Sequence, residues 1–311
     1  MTGTLILVSA SAGESSKALD ELLALLDLET IEVDIFRGHS PDTGWIRVFG
    51  GQVAAQALVA AGRTVGDGAG RERPVHSLHA YFLRPGDPAV PIVYMVDRIR
   101  DGRSFTTRRV AALQGGEPIF HLSASFQAPE AGVEHQEPMP AAPDPESLPT
   151  WHEQMAPYAE ELGEWYRRPR PIDMRHVDGP LRPGPDAGAR PPHHRLWMRA
   201  DGALPDEPLL HACVVTYASD MTLLDTVMLP HGLLWGGRGG GMQVSLDHAM
   251  WFHRPFRADE WLLYDQSSPT AAGSRGLATG TVWSRTGELA VSVVQEGLFR
   301  TGPLTAARPG R

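Results

Sequence analysis

Three polar side chains in the second half of the chain stand in otherwise apolar segments and are of types that take part in proton transfer. Asp220 directly precedes the apolar run MTLL, Ser245 lies within QVSLDH, and Gln295 lies within VVQEG. A carboxylate can accept a proton, and hydroxyl and amide groups both donate and accept hydrogen bonds. Each residue alone also has a structural interpretation, because Asp is a common helix N-cap and a single polar strand residue usually faces solvent. Their occurrence together makes them candidates for a site.

Other catalytic signatures are absent or lack the context that they require. The chain has no G-x-S-x-G nucleophile elbow, since the string at residues 273–276 has a different spacing. The triplet DTG at residues 42–44 occurs once, whereas an aspartic protease needs two carboxylates, so we interpret it as a turn. The Gly-rich run at 236–241 does not stand between a strand and a helix and predicts a flexible loop. Four histidines lack the spacing of a typical metal site, so no metal is expected: His193, His194, His248 and His253.

The composition is that of a folded protein without disulfides or a basic surface. The 311 residues include 42% hydrophobic and 21% charged side chains, and acidic residues outnumber basic ones by 37 to 28. This balance argues against general nucleic-acid binding, because phosphate backbones are neutralised by basic surfaces. Cys213 is the only cysteine, which excludes an internal disulfide and a zinc cluster built from thiols. No run approaches the roughly 18 apolar residues of a membrane span, and we expect a cytoplasmic protein.

A proline-rich segment divides the chain. Of the 27 prolines, 14 lie in the segment 129–192. This composition is typical of a connector, so we predict domains at residues 19–128 and 193–302 joined by that segment. Apolar residues at spacings of three and four predict a helix over residues 151–166. We therefore expect the connector to pack on the surface of the protein.

Hydrophobic spacing predicts two helices followed by strands in the first half. Ser15 or Ser16 is a candidate N-cap of a helix that presents leucines on one face. The segment 50–62 is rich in small residues and predicts a helix packed closely against a broad surface. Alternation of apolar and polar side chains predicts four strands, at residues 77–83, 92–96, 105–113 and 119–126.

The second half repeats this order of elements. The dipeptide RP ends the first strand after the helix at residues 84–85 and again at residues 254–255, an offset of 170. The repeat predicts a duplicated α+β domain, in which each half wraps an antiparallel sheet around one long helix. We expect the two sheets to join edge to edge, so that neither edge stays open. This description fits a hot-dog fold occurring twice.

The three polar candidates have no counterpart in the first half. The offset places Gly50 opposite Asp220, Val75 opposite Ser245, and Ala124 or Ser125 opposite Gln295. We therefore expect Asp220 at the start of the second buried helix, where Gly50 opens the first, and one site per chain.

Six separated motifs occur in the order found in a known family. They stand at residues 36–38, 49–53, 75–86, 217–220, 246–255 and 295–297. In these motifs the chain resembles the type II acyl-CoA thioesterases, the TesB family. The resemblance implies a double hot-dog fold, hydrolysis of acyl-CoA to a carboxylic acid and coenzyme A without a cofactor, and a homodimer or homotetramer. It also implies a site of Asp, Ser or Thr, and Gln, which falls on Asp220, Ser245 and Gln295.

Hydrolysis of a thioester requires an activated water and donors for the oxyanion. Asp220 would take a proton from water, while Ser245 and Gln295 hold the water and the carboxylate in position. Direct attack by Asp220 through an anhydride is the alternative, which the sequence does not distinguish. The oxyanion would lie at a buried helix start near Gly51 or Met221, because backbone N–H groups are unpaired there.

Basic residues of the first half are candidates to bind the phosphates of coenzyme A. Arg103 and Arg108 lie in a cluster of arginines at residues 98–109, and Arg can hold phosphate through two parallel hydrogen bonds. The competing interpretation is solvation, the usual state of charged residues at strand ends. His76, on the first strand, is a further candidate for substrate binding.

Two other functions use the same kind of pocket. A hot-dog hydratase or dehydratase acts on thioesters but needs an acid–base pair, commonly with a histidine near the helix. The first histidine after Asp220 is His231, beyond Pro230. A non-catalytic acyl-CoA-binding module would keep the pocket without needing the three polar side chains. Release of coenzyme A, measured against enoyl hydration, distinguishes these functions.

Overall fold

The computed structural model describes residues 16–41, 46–66, 73–179, 188–233 and 242–300. The DTG triplet, the Gly-rich run at residues 236–241 and the candidate cap Ser15 lie outside the described residues. None of the helices in these ranges combines the length and the apolar character that a membrane crossing requires.

The first half forms a long buried helix against an antiparallel sheet, as the sequence predicts. Ser16 caps the first helix, its hydroxyl accepting the N–H of Leu19 at 3.2 Å. The second helix is buried along all of residues 51–61, because its small side chains allow close approach on every side. The elements are α1 (Lys17–Leu26), β1 (Glu29–Glu32), β2 (Ile35–Gly38), α2 (Gly50–Arg63), β3 (Val75–Phe82), β4 (Ile92–Asp101), β5 (Phe105–Gln114) and β6 (Glu117–Gln127).

The connector packs on the surface of the second half, which confirms that expectation. The predicted single helix over residues 151–166 is wrong, because Pro157 removes a backbone donor and Gly163 takes a positive φ of 53°. Three short α-helices and a 3-10 turn (Ala156–Tyr158) replace it, and the α-helices are α3 (Trp151–Met155), α4 (Ala159–Leu162) and α5 (Glu164–Arg167). Met139 and Leu148 pack against a small core formed by Trp197, Trp261, Leu263 and Trp283.

The second half has the same architecture with a shorter central helix. Its elements are β7 (Ile172–His176), β8 (His193–Ala200), α6 (Pro208–Ser219), α7 (Asp225–Met228), β9 (Met242–Ser245), β10 (Asp247–Phe252), β11 (Leu262–Ala272), β12 (Arg275–Ser284) and β13 (Leu289–Arg300). Strand β7 lies inside the segment 129–192 and pairs with β8 at the edge of the sheet. We therefore propose that the second domain begins with β7, and the limits at residues 128 and 193 stay predictions.

The 13 strands of the described residues join in one antiparallel sheet. Their order is β1-β2-β4-β5-β6-β3-β10-β13-β12-β11-β8-β7, with β9 paired to β13. The halves meet where β3 pairs with β10, Leu78 opposite Met250. This joint confirms the predicted edge-to-edge arrangement and the α+β double hot-dog fold. Helices α2 and α6 pack antiparallel on the inner side, with Gly62 near the end of α2 against Leu209 near the start of α6.

Asp220 lies at the end of the second buried helix, so the prediction that it opens this helix is wrong. Helix α6 begins at Pro208, whose fixed φ and missing N–H suit a first turn. Asp220 is its C-cap, and residues 221–224 form a turn. The offset of 170 holds for the strands but not for the helices, because the segment between α6 and β10 is longer than the one between α2 and β3. The counterpart of Asp220 is therefore Thr64, the C-cap of α2, and not Gly50.

Candidate active site

Asp220, Ser245 and Gln295 meet at the C-terminal end of α6, although each belongs to a different element. Asp220 follows α6, Ser245 ends β9, and Gln295 lies within β13. Gln295 Nε2 donates to Asp220 Oδ1 at 2.6 Å and to Ser245 Oγ at 2.9 Å. The Ser245 hydroxyl donates to Asp220 Oδ1 at 3.3 Å. The three polar side chains named from the sequence therefore form one hydrogen-bonded triangle.

The register between β9 and β13 places Ser245 and Gln295 close together. Ser245 pairs with Gly297, so Gln295 lies two residues away along β13 and its side chain points to the same face. That face is the inner one, because Gln295 is fully buried. The expectation that a single polar strand residue faces solvent does not hold here. A buried amide must find partners, and Gln295 finds them in Asp220 and Ser245.

The start of α2 approaches Asp220 from the first half. The Gly51 N–H donates to the carboxylate, and the partial positive charge of a helix N-terminus stabilises an anion. Glycine is required for this approach: a Cβ on Gly51 would lie 2.5 Å from the Tyr217 carbonyl oxygen, and one on Gly50 would lie 2.7 Å from Asp220 Oδ2. Phe49, the N-cap of α2, makes no capping bond through its own side chain. Asp220 therefore supplies to α2 the acceptor that a capping residue normally supplies.

The environment of Asp220 suits a base. Burial raises its pKa to about 6, while the hydrogen bonds from Gln295, Gly51 and Ser245 act in the opposite direction. The carboxyl group is therefore mostly ionised at neutral pH and still has a pKa close to it. This is the range in which a general base is most effective.

The prediction that Met221 lies at a helix start is wrong, which removes the reason for expecting an oxyanion site there. The Met221 N–H donates to the Ala218 carbonyl at 3.1 Å, in the turn that follows α6. Backbone donors are unpaired at the beginning of a helix and not at its end. The helix start at this site is that of α2, which leaves Gly51 as the candidate of the two.

His76 and Arg103 lie far from the triangle. The N–H of Phe82, in the last position of β3, bonds to the residue after Ser245. His76 lies six residues earlier on the same strand, a separation of roughly 20 Å at 3.3 Å per residue. It bonds to Ser125 Oγ at 2.8 Å, and Arg103 lies exposed in the turn at that same end of the sheet. A role for either in binding substrate stays a prediction.

Arg108 is buried and fully paired inside the protein. Its guanidinium has five N–H groups. They donate to the Thr64 hydroxyl and carbonyl, to the Asp101 carboxylate at 2.6 Å, and to the carbonyls of Arg100 and Thr107. No donor is left for a phosphate in this arrangement. The structure therefore places Arg108 as a structural cation at the end of α2, away from solvent.

The chain matches two family models of acyl-CoA thioesterase domains and a human protein of that name. A family model described as Acyl-CoA thioesterase matches residues 175–298, and one described as Acyl-CoA thioesterase N-terminal domain matches residues 38–127. The human protein named acyl-coenzyme A thioesterase 8 is 41% identical over 293 residues, covering 90% of this chain and 88% of that protein. The chain belongs to the acyl-CoA thioesterase family.

Bacterial relatives agree with this membership. Acyl-CoA thioesterase 2 of Haemophilus influenzae is 39% identical over 292 residues, covering 92% of this chain and 99% of the relative. The crystal structure of an acyl-CoA thioesterase II from Mycobacterium marinum is similar with a TM-score of 0.73 and 46% identity, covering 91% of this chain and 98% of that one. The resemblance carried by the six sequence motifs is confirmed.

Replacement of Arg108 by Met should lower the free energy of unfolding by about 2–4 kcal/mol, because buried carbonyls lose their donors. Arg109 is a matched control, since its ion pair with Asp97 is exposed and its replacement by Met should cost about 1 kcal/mol or less. Urea denaturation of both variants measures the difference. A rise in KM for acyl-CoA without loss of stability in the Arg108 variant would instead support the phosphate-binding hypothesis.

The stability difference between the wild type and Asp220→Asn should depend on pH. Burial raises the pKa of Asp220 to about 6, above its unfolded value of about 3.9. The folded protein then keeps a proton that the unfolded chain releases, so this group contributes stability below about pH 4 that is lost as the pH rises through 6. Denaturation from about pH 4 to pH 7 should show the wild type weakening relative to the variant. A constant difference would mean that the pKa is not raised.

Proposed function

We propose that this protein hydrolyses acyl-CoA thioesters to a free carboxylic acid and coenzyme A, with Asp220 as the general base. The observation that carries the proposal is the triangle of Asp220, Ser245 and Gln295 in a chain that belongs to the acyl-CoA thioesterase family. A carboxylate with a raised pKa and two oriented hydrogen-bond partners is suited to activating water. We also propose a role in fatty-acid metabolism, since the product is a carboxylic acid.

The two oxygens of Asp220 have different tasks in this mechanism. Both side-chain hydrogen bonds go to Oδ1, and Oδ2 lies beside Gly50. Oδ2 takes a proton from water while the water oxygen forms a bond to the thioester carbon and the carbonyl oxygen becomes negative. The carbon–sulfur bond then breaks, the carbonyl re-forms, and the proton on Asp220 passes to the sulfur of coenzyme A. Ser245 and Gln295 keep the base in one orientation throughout.

The start of α2 is the part of the site best suited to the developing negative charge. Its first turn lies beside Asp220 and carries the partial positive charge of a helix N-terminus. The Gly51 N–H is bonded to Asp220 before reaction. When Asp220 takes the proton, its own negative charge disappears as the oxyanion forms, so the field of α2 can act on the new charge.

The second half holds the one site of the chain in this proposal. At the end of α2 the residue matching Asp220 is Thr64, which has no basic group. Arg108 fills the same place from β5, where the matching residue of β12 is the small Ala278. At this one position, among the described residues of the first half, there is neither a base nor room for one.

The hydrogen bonds of Asp220 do not favour a hydratase or dehydratase activity. The partners that the structure gives Asp220 are an amide, a hydroxyl and a backbone N–H, and none of them is a histidine. A non-catalytic binding module would not need a carboxylate held in this way. Location in the cytoplasm and assembly as a homodimer or homotetramer stay predictions.

Asp220→Asn should lower kcat by about 100-fold or more, the usual contribution of a general base. The amide keeps the size and one acceptor of the carboxyl group, so the fold should persist. In the wild type, kcat/KM should fall on the acidic side with a midpoint near the Asp220 pKa of about 6. Thiol release from an acyl-CoA series measures both quantities. A folded variant with near wild-type turnover would show that Asp220 is not the base.

Ser245→Thr should keep most of the activity because the hydroxyl remains, and Ser245→Ala should reduce kcat without abolishing it. The reason is that Ser245 contacts an acid and an amide, whereas a serine nucleophile needs a strong base beside it. Rapid-quench mass spectrometry of the intact protein is the second measurement. An acyl adduct on Ser245 would overturn the water mechanism.

A further inference from the structure

His248 lies directly behind the triangle, on the strand that joins the two halves. Ala249 of β10 pairs with Val294 of β13, and this register places His248 opposite Gln295. Both side chains point to the inner face, where His248 is 1% exposed and Gln295 is fully buried. Side chains opposite each other on one face of an antiparallel pair are within contact distance.

One nitrogen of the His248 imidazole has a hydrogen-bond partner, and the other lies toward Gln295. His248 Nε2 lies 2.9 Å from the hydroxyl of Ser219, the residue before Asp220, and that hydroxyl also lies 3.0 Å from the Thr216 carbonyl oxygen. Among the described residues, His248 Nδ1 and Gln295 Oε1 are both buried, and neither atom has a hydrogen-bond partner of normal geometry. A hydrogen bond with Gln295 also acts to raise the pKa of His248, against the burial that lowers it to about 4. The ring is therefore neutral at neutral pH, with a proton on one nitrogen only.

We propose that His248 is a positioning residue that fixes the amide of Gln295 for the reaction proposed above. Nδ1–H donates to Gln295 Oε1, and Nε2 accepts the hydroxyl proton of Ser219, which is then not donated to the Thr216 carbonyl. This is the arrangement that satisfies both buried atoms, because the two N–H groups of Gln295 are already bonded to Asp220 and Ser245.

The orientation of the Gln295 amide matters because its oxygen accepts hydrogen bonds and its NH₂ group donates them. In the observed orientation the NH₂ group donates to Asp220 Oδ1. In the flipped orientation the amide oxygen would face the carboxylate and both bonds to Asp220 and Ser245 would be lost. A donor at His248 Nδ1 favours the productive orientation, since it pairs with oxygen and repels NH₂. His248 thus acts on the base through Gln295 without touching substrate.

Two side chains close to Asp220, those of Tyr264 and His248, are neutral at neutral pH. Tyr264 donates to the Ser219 carbonyl at 3.2 Å and holds the backbone just before Asp220. Burial and the nearby Asp220 carboxylate raise the pKa of Tyr264 well above its ordinary value, so its phenol stays neutral. His248 is neutral as well, so of these three side chains Asp220 is the one that titrates near neutrality. Asp225, at the start of α7, is a second carboxyl group whose pKa burial raises, to about 7.

Two substitutions of His248 test the roles of its two ring nitrogens separately. The amide nitrogen of Asn can take the place of Nδ1, and that of Gln the place of Nε2. His248→Asn keeps a donor for Gln295 and should retain kcat within about threefold, whereas His248→Gln loses it and should lower kcat by about 10- to 100-fold with little change in KM. In His248→Gln the acidic limb of kcat/KM should also move to higher pH, because a hydrogen bond that lowers the Asp220 pKa is weakened.

His211→Gln is the matched control. His211 is equally buried, 3% exposed, and its Nδ1 accepts the Ala258 N–H at 3.0 Å near the other end of α6. This variant should lose stability but keep kcat and the acidic limb. Equal kcat and equal pH profiles for His248→Asn and His248→Gln would overturn the proposal.

A measurement on the wild type does not depend on activity or on variant folding. Nitrogen-15 NMR of the histidine side chains should show His248 as the Nδ1–H tautomer, with Nε2 unprotonated. The Nε2–H tautomer would overturn the proposal even if Asp220 is the base. A Nδ1–H tautomer in an enzyme whose Asp220→Asn variant stays active would support the positioning of Gln295 and reject the proposed water mechanism alone.

Discussion

A half-buried carboxylate at the C-terminal end of a helix is the constraint on which this site depends. The helix end carries partial negative charge and burial removes water, so both disfavour the ionised form of Asp220. Three donors offset this cost: the Gly51 N–H from the other half and the side chains of Gln295 and Ser245 from the sheet. Because the compensation is partial, the pKa lies near 6 and the group is both charged and basic at neutral pH.

The same constraint explains why two joined halves are needed. One half supplies the carboxylate at the end of α6, and the other supplies the positive start of α2. The antiparallel packing of these helices brings the two together, and glycines make it close enough, since a Cβ on Gly51 would meet the Tyr217 carbonyl at 2.5 Å. The pairing of β3 with β10 holds the halves in this relation. Neither half alone contains the complete site.

The duplicated halves have diverged at the two ends of this helix pair. At one end Asp220 lies beneath the start of α2, supported by a network that continues through Gln295. At the other end Thr64 follows α2, and the guanidinium of Arg108 satisfies its carbonyl and hydroxyl. A charge that is fully paired inside the protein stabilises structure, whereas one that is partly compensated remains available for chemistry. The two ends of the α2–α6 pair are thus equivalent in architecture but differ in role: one holds the candidate site, and the other holds a buried arginine that stabilises the structure.

The sequence by itself determined the two buried-helix halves, most strands of the first half and the three polar residues, because periodicity, internal repetition and polarity in apolar segments are local signals. It could not decide on which end of a helix Asp220 lies, since Asp is read as an N-cap and an offset measured on strands does not transfer to helices. It could not show that Arg108 is buried, because exposed and buried arginines look alike until their partners are known. Nor could it place His248 opposite Gln295. Those features depend on contacts between groups far apart in the chain, so only the tertiary structure set their burial, hydrogen bonding and pKa.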